Sequence, residues 1–165
     1  MEIWDARYPD GRLAGFDLVR GEPIPEGYYH LVVEITVRHI DGSFLLMQRD
    51  LSKIDFPGYF EATSSGSALK GESALQAAKR ELAEETGIRE GEFTELHRHL
   101  TSIQAIFVGF LCVTDWPKEQ IVLQAGETID HRWVTQEEFL RHYHDGMIPY
   151  QRDRLKENLP IILNK

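Results

Sequence analysis

One segment, residues 66–88, constrains the fold of this chain more than any other feature, because it predicts a single helix with sharp ends. Residues 73–86 have the spacing of apolar and polar positions that is typical of a helix. Ser73 and Gln76 have the spacing of a capping box, which begins a helix, and Gly87 stands where a glycine ends one. The sequence therefore predicts one helix over residues 73–86.

Three glutamates lie on one side of this predicted helix. At about 100° per residue, Glu84 and Glu85 fall about 60° and about 40° to either side of Glu81. Such close carboxylates repel each other unless a cation lies between them. Carboxylate oxygens suit Mg²⁺ or Mn²⁺, and Mg²⁺ commonly shares its ligands with substrate phosphates. The residues predict a metal-dependent phosphate site; the alternative is a solvated acidic face that pairs with Arg80.

The apolar residues of the same helix predict how it packs. Leu75, Ala78 and Leu82 form a stripe that we expect to dock on a sheet. Ala74 and Ala77 fall on the acidic side, where small side chains would leave room for a ligand.

Strand patterns precede and follow this helix. We expect a hairpin at 3–8 and 13–20, strands at 31–38, 44–48, 95–100, 105–113 and 132–134, an extended piece at 56–63, and helices at 136–144 and 151–158. Pro160 is expected to stop the last helix. This order predicts an α/β (α+β) fold in which helices cover both faces of a mixed β-sheet. No linker divides the chain, so we expect a single domain over residues 1–165, with residues 1–27 as an N-terminal hairpin extension.

Composition excludes several classes of function. The 27 acidic and 18 basic residues give a net charge of −9, which disfavours binding to nucleic acid polymers. No apolar run approaches the ~20 residues of a membrane-spanning helix, and residues 1–12 lack the apolar core of a secretory signal. The single cysteine, Cys112, excludes an internal disulfide. We therefore expect a cytoplasmic protein that acts on a small molecule.

Residues 66–88 match the Nudix box, G-x5-E-x7-R-E-U-x-E-E-x-G-U, at every position, where U is a bulky aliphatic residue. The matching residues are Gly66, Glu72, Arg80, Glu81, Leu82, Glu84, Glu85, Gly87 and Ile88. The chain thus resembles the Nudix family from about Tyr28 onward. The resemblance implies an α/β/α sandwich with a mixed sheet. It also implies hydrolysis of a small-molecule diphosphate, in which a nucleoside diphosphate is linked to another group X.

The resemblance also implies the residues of a metal site. The implied ligands of Mg²⁺, or alternatively Mn²⁺, are Glu81, Glu84, Glu85 and the backbone carbonyl of Gly66. Glu72 and Arg80 resemble the pair that orients these ligands.

Other residues resemble groups that act on the substrate in this family. A carboxylate is implied to accept the proton of the water that attacks phosphorus. Glu84 is the first candidate for this base and Glu127, on a later loop, is the second. Arg49, at the end of a predicted strand, resembles an arginine that many relatives direct at substrate phosphate.

Two other functions remain open at this point. The N-terminal region is also similar to the branch that includes isopentenyl diphosphate isomerase, but Ser65 and Ser67 stand where that enzyme has a cysteine and a histidine. Some Nudix domains bind nucleotides as sensors without cleaving them, although those often lose box glutamates. The N-terminal hairpin leaves two roles open, an arm that forms a homodimer or a cover for the sheet edge.

Overall fold

The computed structural model describes residues 1–164, and its centre is a seven-stranded mixed sheet. The strands are β1 Ile3–Arg7, β2 Leu13–Val19, β3 His30–His39, β4 Phe44–Arg49, β5 Phe60–Ala62, β6 Ser64–Ser67, β7 Glu92–Leu100, β8 Ala105–Thr114 and β9 Thr128–Val134. The helices are α1 Ala74–Thr86, α2 Gln136–Asp145, α3 Pro149–Leu155 and α4 Leu159–Ile162. Among the described residues, no helix is long and apolar enough to cross a membrane.

The sheet divides around a short segment that carries part of the predicted site. Strand β3 pairs in parallel with β8, and β7 pairs antiparallel with β8 at the edge. Strands β3 and β4 are paired only at Arg38 and Phe44; beyond that point β5 pairs with β4, and β6 pairs with β3. Thr63 joins β5 to β6 with a φ of 64°. Its hydroxyl donates to the carbonyl of Leu45 at 2.7 Å and accepts from the N–H of Val37 at 3.0 Å. These two hydrogen bonds fix Thr63 between β3 and β4, at the point where the two strands separate.

Helices cover both faces of the sheet, which confirms the predicted α/β/α sandwich. On one face α1 packs through Ala77, Ala78 and Leu82 against the buried side chains of β3 and β8. On the other face α2 buries Phe139 against Phe44, with ring centroids 4.2 Å apart. Helices α3 and α4 complete that second layer. The cavity that the predicted site residues line is on the α1 side of the sheet.

The packing of α1 differs from the expected apolar stripe. Leu75 is 41% exposed, whereas Ala74 and Ala77 are buried in the core. The prediction that these two alanines leave room for a ligand was therefore wrong. Small residues allow the helix backbone to approach the sheet closely, and this close approach turns Leu75 outward.

Two expectations for connecting segments also need correction. The extended piece at 56–63 forms strand only over Phe60–Ala62, because Phe56 adopts a φ of 48° within a turn. Pro160 does not end the last helix but lies in the first turn of α4, where a missing N–H costs nothing.

The N-terminal hairpin is confirmed, and it contacts the loop that leads into α1. Strands β1 and β2 form a separate two-stranded sheet. The N–H of Lys70 donates to the carbonyl of Ile3 at 2.9 Å, and the N–H of Gly71 donates to the Asp5 carboxylate at 2.8 Å. Arg7 donates to the carbonyl of Glu72 at 3.3 Å. The hairpin therefore holds residues 70–72 of its own chain.

Candidate active site

The predicted site residues meet at one cavity of about 410 Å³, which we call the acidic cavity. It lies between β6, α1 and the loops that follow β4 and precede β9. Every predicted site residue except Glu72 lines it, namely Arg49, Gly66, Arg80, Glu81, Glu84, Glu85 and Glu127. Residues that are far apart in sequence thus converge on one pocket.

The ends of α1 determine where its glutamates stand. The Ser73 hydroxyl accepts from the N–H of Gln76 at 3.1 Å, and the Gln76 side chain accepts from the N–H of Ser73 at 2.9 Å. Gly87 ends the helix in the left-handed conformation, with a φ of 81°. Both predicted caps are confirmed. The caps fix where the helix begins and ends, and the packing of Ala77, Ala78 and Leu82 on the sheet fixes its rotation, so that Glu81 faces β6.

Gly66 and Glu81 are in close contact. A Cβ atom on Gly66 would lie 2.1 Å from Cδ of Glu81, which is far inside van der Waals contact. Only glycine allows the backbone of β6 to approach the carboxylate this closely. The box glycine thus shapes the wall of the acidic cavity.

Arg80 forms the predicted pair with Glu72 and also contacts the acidic residues. Its Nε and Nη2 donate to the two oxygens of Glu72 at 2.7 and 3.0 Å. Its Nη1 donates to Glu81 at 2.9 Å and to Glu84 at 3.2 Å. Nη2 also donates to the carbonyl of Ser67 at 3.0 Å. One guanidinium therefore joins the loop before α1, strand β6 and helix α1.

Glu85 is a buried carboxylate without a partner. Its side chain is 5% exposed and makes no hydrogen bond or ion pair among residues 1–164. Burial raises its pKa well above the ordinary value, and the nearby charges of Glu61 and Glu81 raise it further. A buried, unpaired carboxylate is costly unless it binds a proton or a cation. Glu85 is therefore expected to bind either a proton or a cation in the folded protein.

The donor set fits a hard divalent cation, although the carboxylates are not yet arranged around one. No three His, Cys, Asp or Glu side chains within the described residues enclose a position for a metal ion. Glu81 and Glu84 bond to Arg80 instead. The fit rests on three observations: three carboxylates of α1 line the cavity, Glu85 lacks a partner, and Gly66 leaves its backbone accessible.

Glu61 is a functional candidate that sequence reasoning missed. Its side chain is 9% exposed and lies 3.4 Å from the guanidinium of Arg49. Burial raises the pKa of Glu61 to about 7, against the opposing charge of Arg49. The available signal was a glutamate between Phe60 and Ala62 in a short apolar strand.

The two candidate bases both line the acidic cavity, and each is paired with a cation. Glu84 is about half exposed and bonds Arg80. Glu127 forms an ion pair with Lys53, a residue that the sequence did not single out. Arg49 is not a free surface arginine, because its Nε donates to the carbonyl of Asp55 at 3.0 Å.

The N-terminal hairpin also reaches the acidic cavity, which the sequence did not predict. Arg20 and Glu2 line the cavity and pair with each other at 3.0 Å. Ser65 and Ser67, the positions compared with the isomerase, line it as well. The Ser65 hydroxyl is far less acidic than a thiol, and the Ser67 hydroxyl is not an imidazole ligand, so the cavity wall is poorly suited to the isomerase chemistry.

Comparisons with known proteins agree with this architecture. The profile of the NUDIX domain matches residues 28–153. An uncharacterized Nudix hydrolase of Listeria monocytogenes is 34% identical over 155 residues, covering 91% of this chain and 90% of that protein. The fold is similar to DR0079 of Deinococcus radiodurans, with a TM-score of 0.71 and 18% identity, over 94% of this chain and 98% of that one. It is also similar to the NUDIX domain of Shewanella oneidensis NrtR complexed with ADP ribose, with a TM-score of 0.60 and 18% identity, over 79% and 88% of the two chains.

Proposed function

This chain belongs to the Nudix hydrolase family, and from that premise we propose that it is a divalent-metal-dependent hydrolase of a diphosphate linkage. Members of the family act on nucleoside diphosphates linked to another group X. The observation that carries the proposal is the buried, partnerless carboxylate of Glu85 in the acidic cavity. A metal ion that neutralises this group also brings a negatively charged diphosphate to an acidic site.

Residues of β6 and α1 would hold the cation. The ligands are the carboxylates of Glu81, Glu84 and Glu85 and the backbone carbonyl of Gly66, and the ion is Mg²⁺ or Mn²⁺. When bound, such an ion neutralises charge on the diphosphate and makes water a better nucleophile. The ion pair between Arg80 and Glu72 fixes the loop before α1 relative to the helix, so that these ligands stay in position.

Other residues of the cavity act on the substrate and the water. The guanidinium of Arg49 binds a phosphate oxygen, since it lies on the cavity wall and is fixed by the carbonyl of Asp55. Glu84 accepts the proton of the attacking water, with Glu127 as the second candidate. Water adds to one phosphorus and the bridging P–O bond breaks. The products are two monophosphates, one bearing the nucleoside and the other bearing X.

The class of ligand that we propose rests on the net charge of the chain and on a structurally similar domain. A net charge of −9 supports a small-molecule substrate rather than a nucleic acid polymer. The NrtR domain complexed with ADP ribose supports a nucleotide diphosphate as the ligand class. The cytoplasmic location and the homodimer stay predictions from the sequence.

Product analysis tests the proposed function. A panel of nucleoside diphosphate derivatives is incubated with the protein in MgCl₂ or in EDTA, and the products are identified by mass. We expect at least one derivative to yield two monophosphates in MgCl₂ and none in EDTA. Glu85→Gln should lose this activity by several orders of magnitude, whereas Glu92→Gln, on the exposed start of β7, should retain it. Metal-independent turnover, or full activity of Glu85→Gln, would contradict the proposal.

The same assay separates the two candidate bases. Removal of a general base typically costs about 10²- to 10⁴-fold in rate. We expect Glu84→Gln, measured at saturating Mg²⁺ because Glu84 is also a proposed metal ligand, to show a loss of this size and Glu127→Gln to show a smaller one. A loss of this size in Glu127→Gln would assign the base to Glu127.

A further inference from the structure

The N-terminal hairpin brings two charged side chains to the acidic cavity. Glu2, just before β1, and Arg20, just after β2, both line it. Both lie outside residues 28–153, the part of the chain that the NUDIX profile matches. The family resemblance therefore assigns neither residue a role, and we infer one from their contacts and their position.

Arg20 is the least engaged of the four cationic side chains that line the cavity. The other three, Arg49, Lys53 and Arg80, are each at most 26% exposed and form ion pairs with carboxylates inside or beside the cavity. The Arg20 side chain is 68% exposed, and its one side-chain hydrogen bond within residues 1–164 is to Glu2. Most of its donors are therefore free for a ligand.

Glu2 holds the Arg20 guanidinium through one nitrogen. Nη1 of Arg20 donates to Oε2 of Glu2 at 3.0 Å, and the backbone N–H of Arg20 donates to the Glu2 carbonyl, also at 3.0 Å. The other carboxylate oxygen of Glu2 accepts from Nε1 of the buried Trp4 at 2.7 Å. The guanidinium is thus kept at the cavity, while its Nε and Nη2 stay unpaired within the described chain. Such neighbouring N–H groups bind two oxygens of one phosphate or carboxylate.

Arg20 and Arg49 lie on opposite sides of the proposed metal ligands. Strand β6 begins just after β5, which carries the ion-pair partner of Arg49. The loop after β6 reaches the hairpin, where the N–H of Lys70 donates to a carbonyl of β1 at 2.9 Å. Gly66, between these two points, contacts Glu81. A diphosphate held at the metal ligands would therefore have Arg49 on one side and Arg20 on the other.

Stabilisation of the hairpin is the alternative role for the Arg20–Glu2 pair. An exposed ion pair adds little to stability, so this role gives no reason for its place at the cavity. The same hairpin has a second exposed pair, between Arg12 and Asp10 at 2.6 Å, and neither of those residues lines the acidic cavity. Arg12 is therefore a matched control for Arg20.

We propose that Arg20 determines substrate specificity by binding an anionic group of the substrate that lies beside the cleaved diphosphate, on the hairpin side of the cavity. This inference rests on the proposed function, because the metal site places the diphosphate between the two arginines. The substrate class is then a diphosphate that carries a further anionic group, either a third phosphate or a carboxylate on X. An uncharged group at the same place would leave the paired donors of Arg20 unused.

Two matched pairs of compounds test this role. ADP and ATP differ by one phosphate, and UDP-glucose and UDP-glucuronate differ by one carboxylate on X. KM is measured in MgCl₂ for each compound, or the dissociation constant by calorimetry where the compound is not hydrolysed. Wild type and Arg20→Gln are compared for each compound, so that Mg²⁺ bound by the compound in solution cancels.

In at least one pair, we expect Arg20→Gln to weaken the more anionic member about tenfold or more and to change the other member little. A selective loss for ATP assigns the site to a third phosphate, and a selective loss for UDP-glucuronate assigns it to a carboxylate on X. If neither pair shows a selective loss, the proposal is overturned.

Arg12→Gln separates a direct contact from a general effect of charge. It removes one positive charge from the same hairpin, away from the acidic cavity, and should leave all four compounds unchanged. A loss in Arg12→Gln equal to that in Arg20→Gln would overturn the proposal, because a long-range field would then explain both.

This proposal and the hydrolase can fail separately. Binding that depends selectively on Arg20, in a protein that hydrolyses no diphosphate in MgCl₂, would overturn the hydrolase and leave the anion site. Metal-dependent hydrolysis with the same KM values in wild type and Arg20→Gln would overturn the anion site and leave the hydrolase.

Discussion

The Nε atom of Arg80 lies 2.7 Å from Oε1 of Glu72, and a second bond of 3.0 Å joins the same two side chains. This bidentate pair connects the loop before α1 to the middle of the helix. The N–H of Leu69 donates to the same Glu72 carboxylate at 2.8 Å. Glu72 therefore controls the orientation of Arg80, which in turn contacts Glu81 and Glu84.

Glu72→Gln should weaken activity without unfolding the protein. The substitution keeps the shape of the side chain but removes the charge that holds Arg80, so Arg80 can shift toward Glu81 and Glu84 and compete with the metal. Loss of such an orienting group typically costs about 10- to 100-fold in metal affinity or activity. The measurement is the Mg²⁺ concentration for half-maximal turnover, with Glu90→Gln, an exposed glutamate after α1, as the control. Equal Mg²⁺ dependence in both variants would refute the orienting role.

Gly66→Ala should disable the site while the fold survives. The new Cβ would lie 2.1 Å from Cδ of Glu81, and the flexible end of that side chain is the part that must move. We expect the melting temperature to change by only a few degrees and the turnover and Mg²⁺ affinity to fall strongly. Calorimetric titration with Mg²⁺ beside a thermal melt separates the two effects. A variant that binds Mg²⁺ as tightly as wild type would show that Gly66 does not shape the site.

Local signals made the central helix predictable. Its caps, Ser73 with Gln76 and then Gly87, use bonds between residues close in sequence, and the structure contains all of them. Which apolar residues the helix buries was less predictable. Periodicity predicted a stripe through Leu75, Ala78 and Leu82, but the helix lies close to the sheet and buries Ala77 while Leu75 is exposed.

The site was predictable in its box residues and, through the family resemblance, in Arg49 and Glu127, but not in its other charged residues. Glu61, Lys53 and Arg20 reach the acidic cavity from β5, from a loop and from the N-terminal hairpin. Each is an ordinary charged residue with no repeating pattern around it. Its position depends on contacts between distant segments, such as the hydrogen bonds from the hairpin to residues 70–72. Sequence spacing carries no information about contacts of that kind.

The metal-free protein should lose stability as pH rises through about 7. Burial raises the pKa of Glu61 and of Glu81 to about 7, above the ordinary value of 4.5. The folded state therefore holds these protons more tightly than the unfolded state. The resulting contribution to stability is complete below about pH 4.5 and is lost as pH rises through 7.

Comparing wild type with Glu61→Gln isolates this effect. Burial lowers the pKa of His30 and His97 to about 4, which acts in the opposite sense at lower pH, but both proteins share these histidines. In EDTA, we expect the melting temperature of wild type to fall relative to Glu61→Gln between pH 6 and pH 8. A constant or rising difference over that range would contradict the assigned pKa of Glu61.

Arg154→Met should be one of the more destabilising single changes in the chain. Both members of the Arg154–Glu34 pair are about nine-tenths buried, and the substitution leaves the Glu34 charge without a partner. Breaking a buried pair in this way costs about 3–5 kcal/mol, whereas replacing both members by apolar residues is often neutral. Denaturant unfolding should therefore show a large loss in Arg154→Met and a substantial recovery in Glu34→Leu/Arg154→Met. Equal stability of the single and double variants would contradict this account.

Calorimetric titration of the substrate-free protein with Mg²⁺, repeated with Mn²⁺, tests the central claim most directly. The buried, partnerless carboxylate of Glu85 predicts that wild type binds at least one divalent ion, and that Glu85→Gln binds it at least about tenfold more weakly although its melting temperature in EDTA is no lower. Identical titrations for the two proteins, or no binding to wild type at millimolar metal, would contradict a metal-dependent site in the acidic cavity.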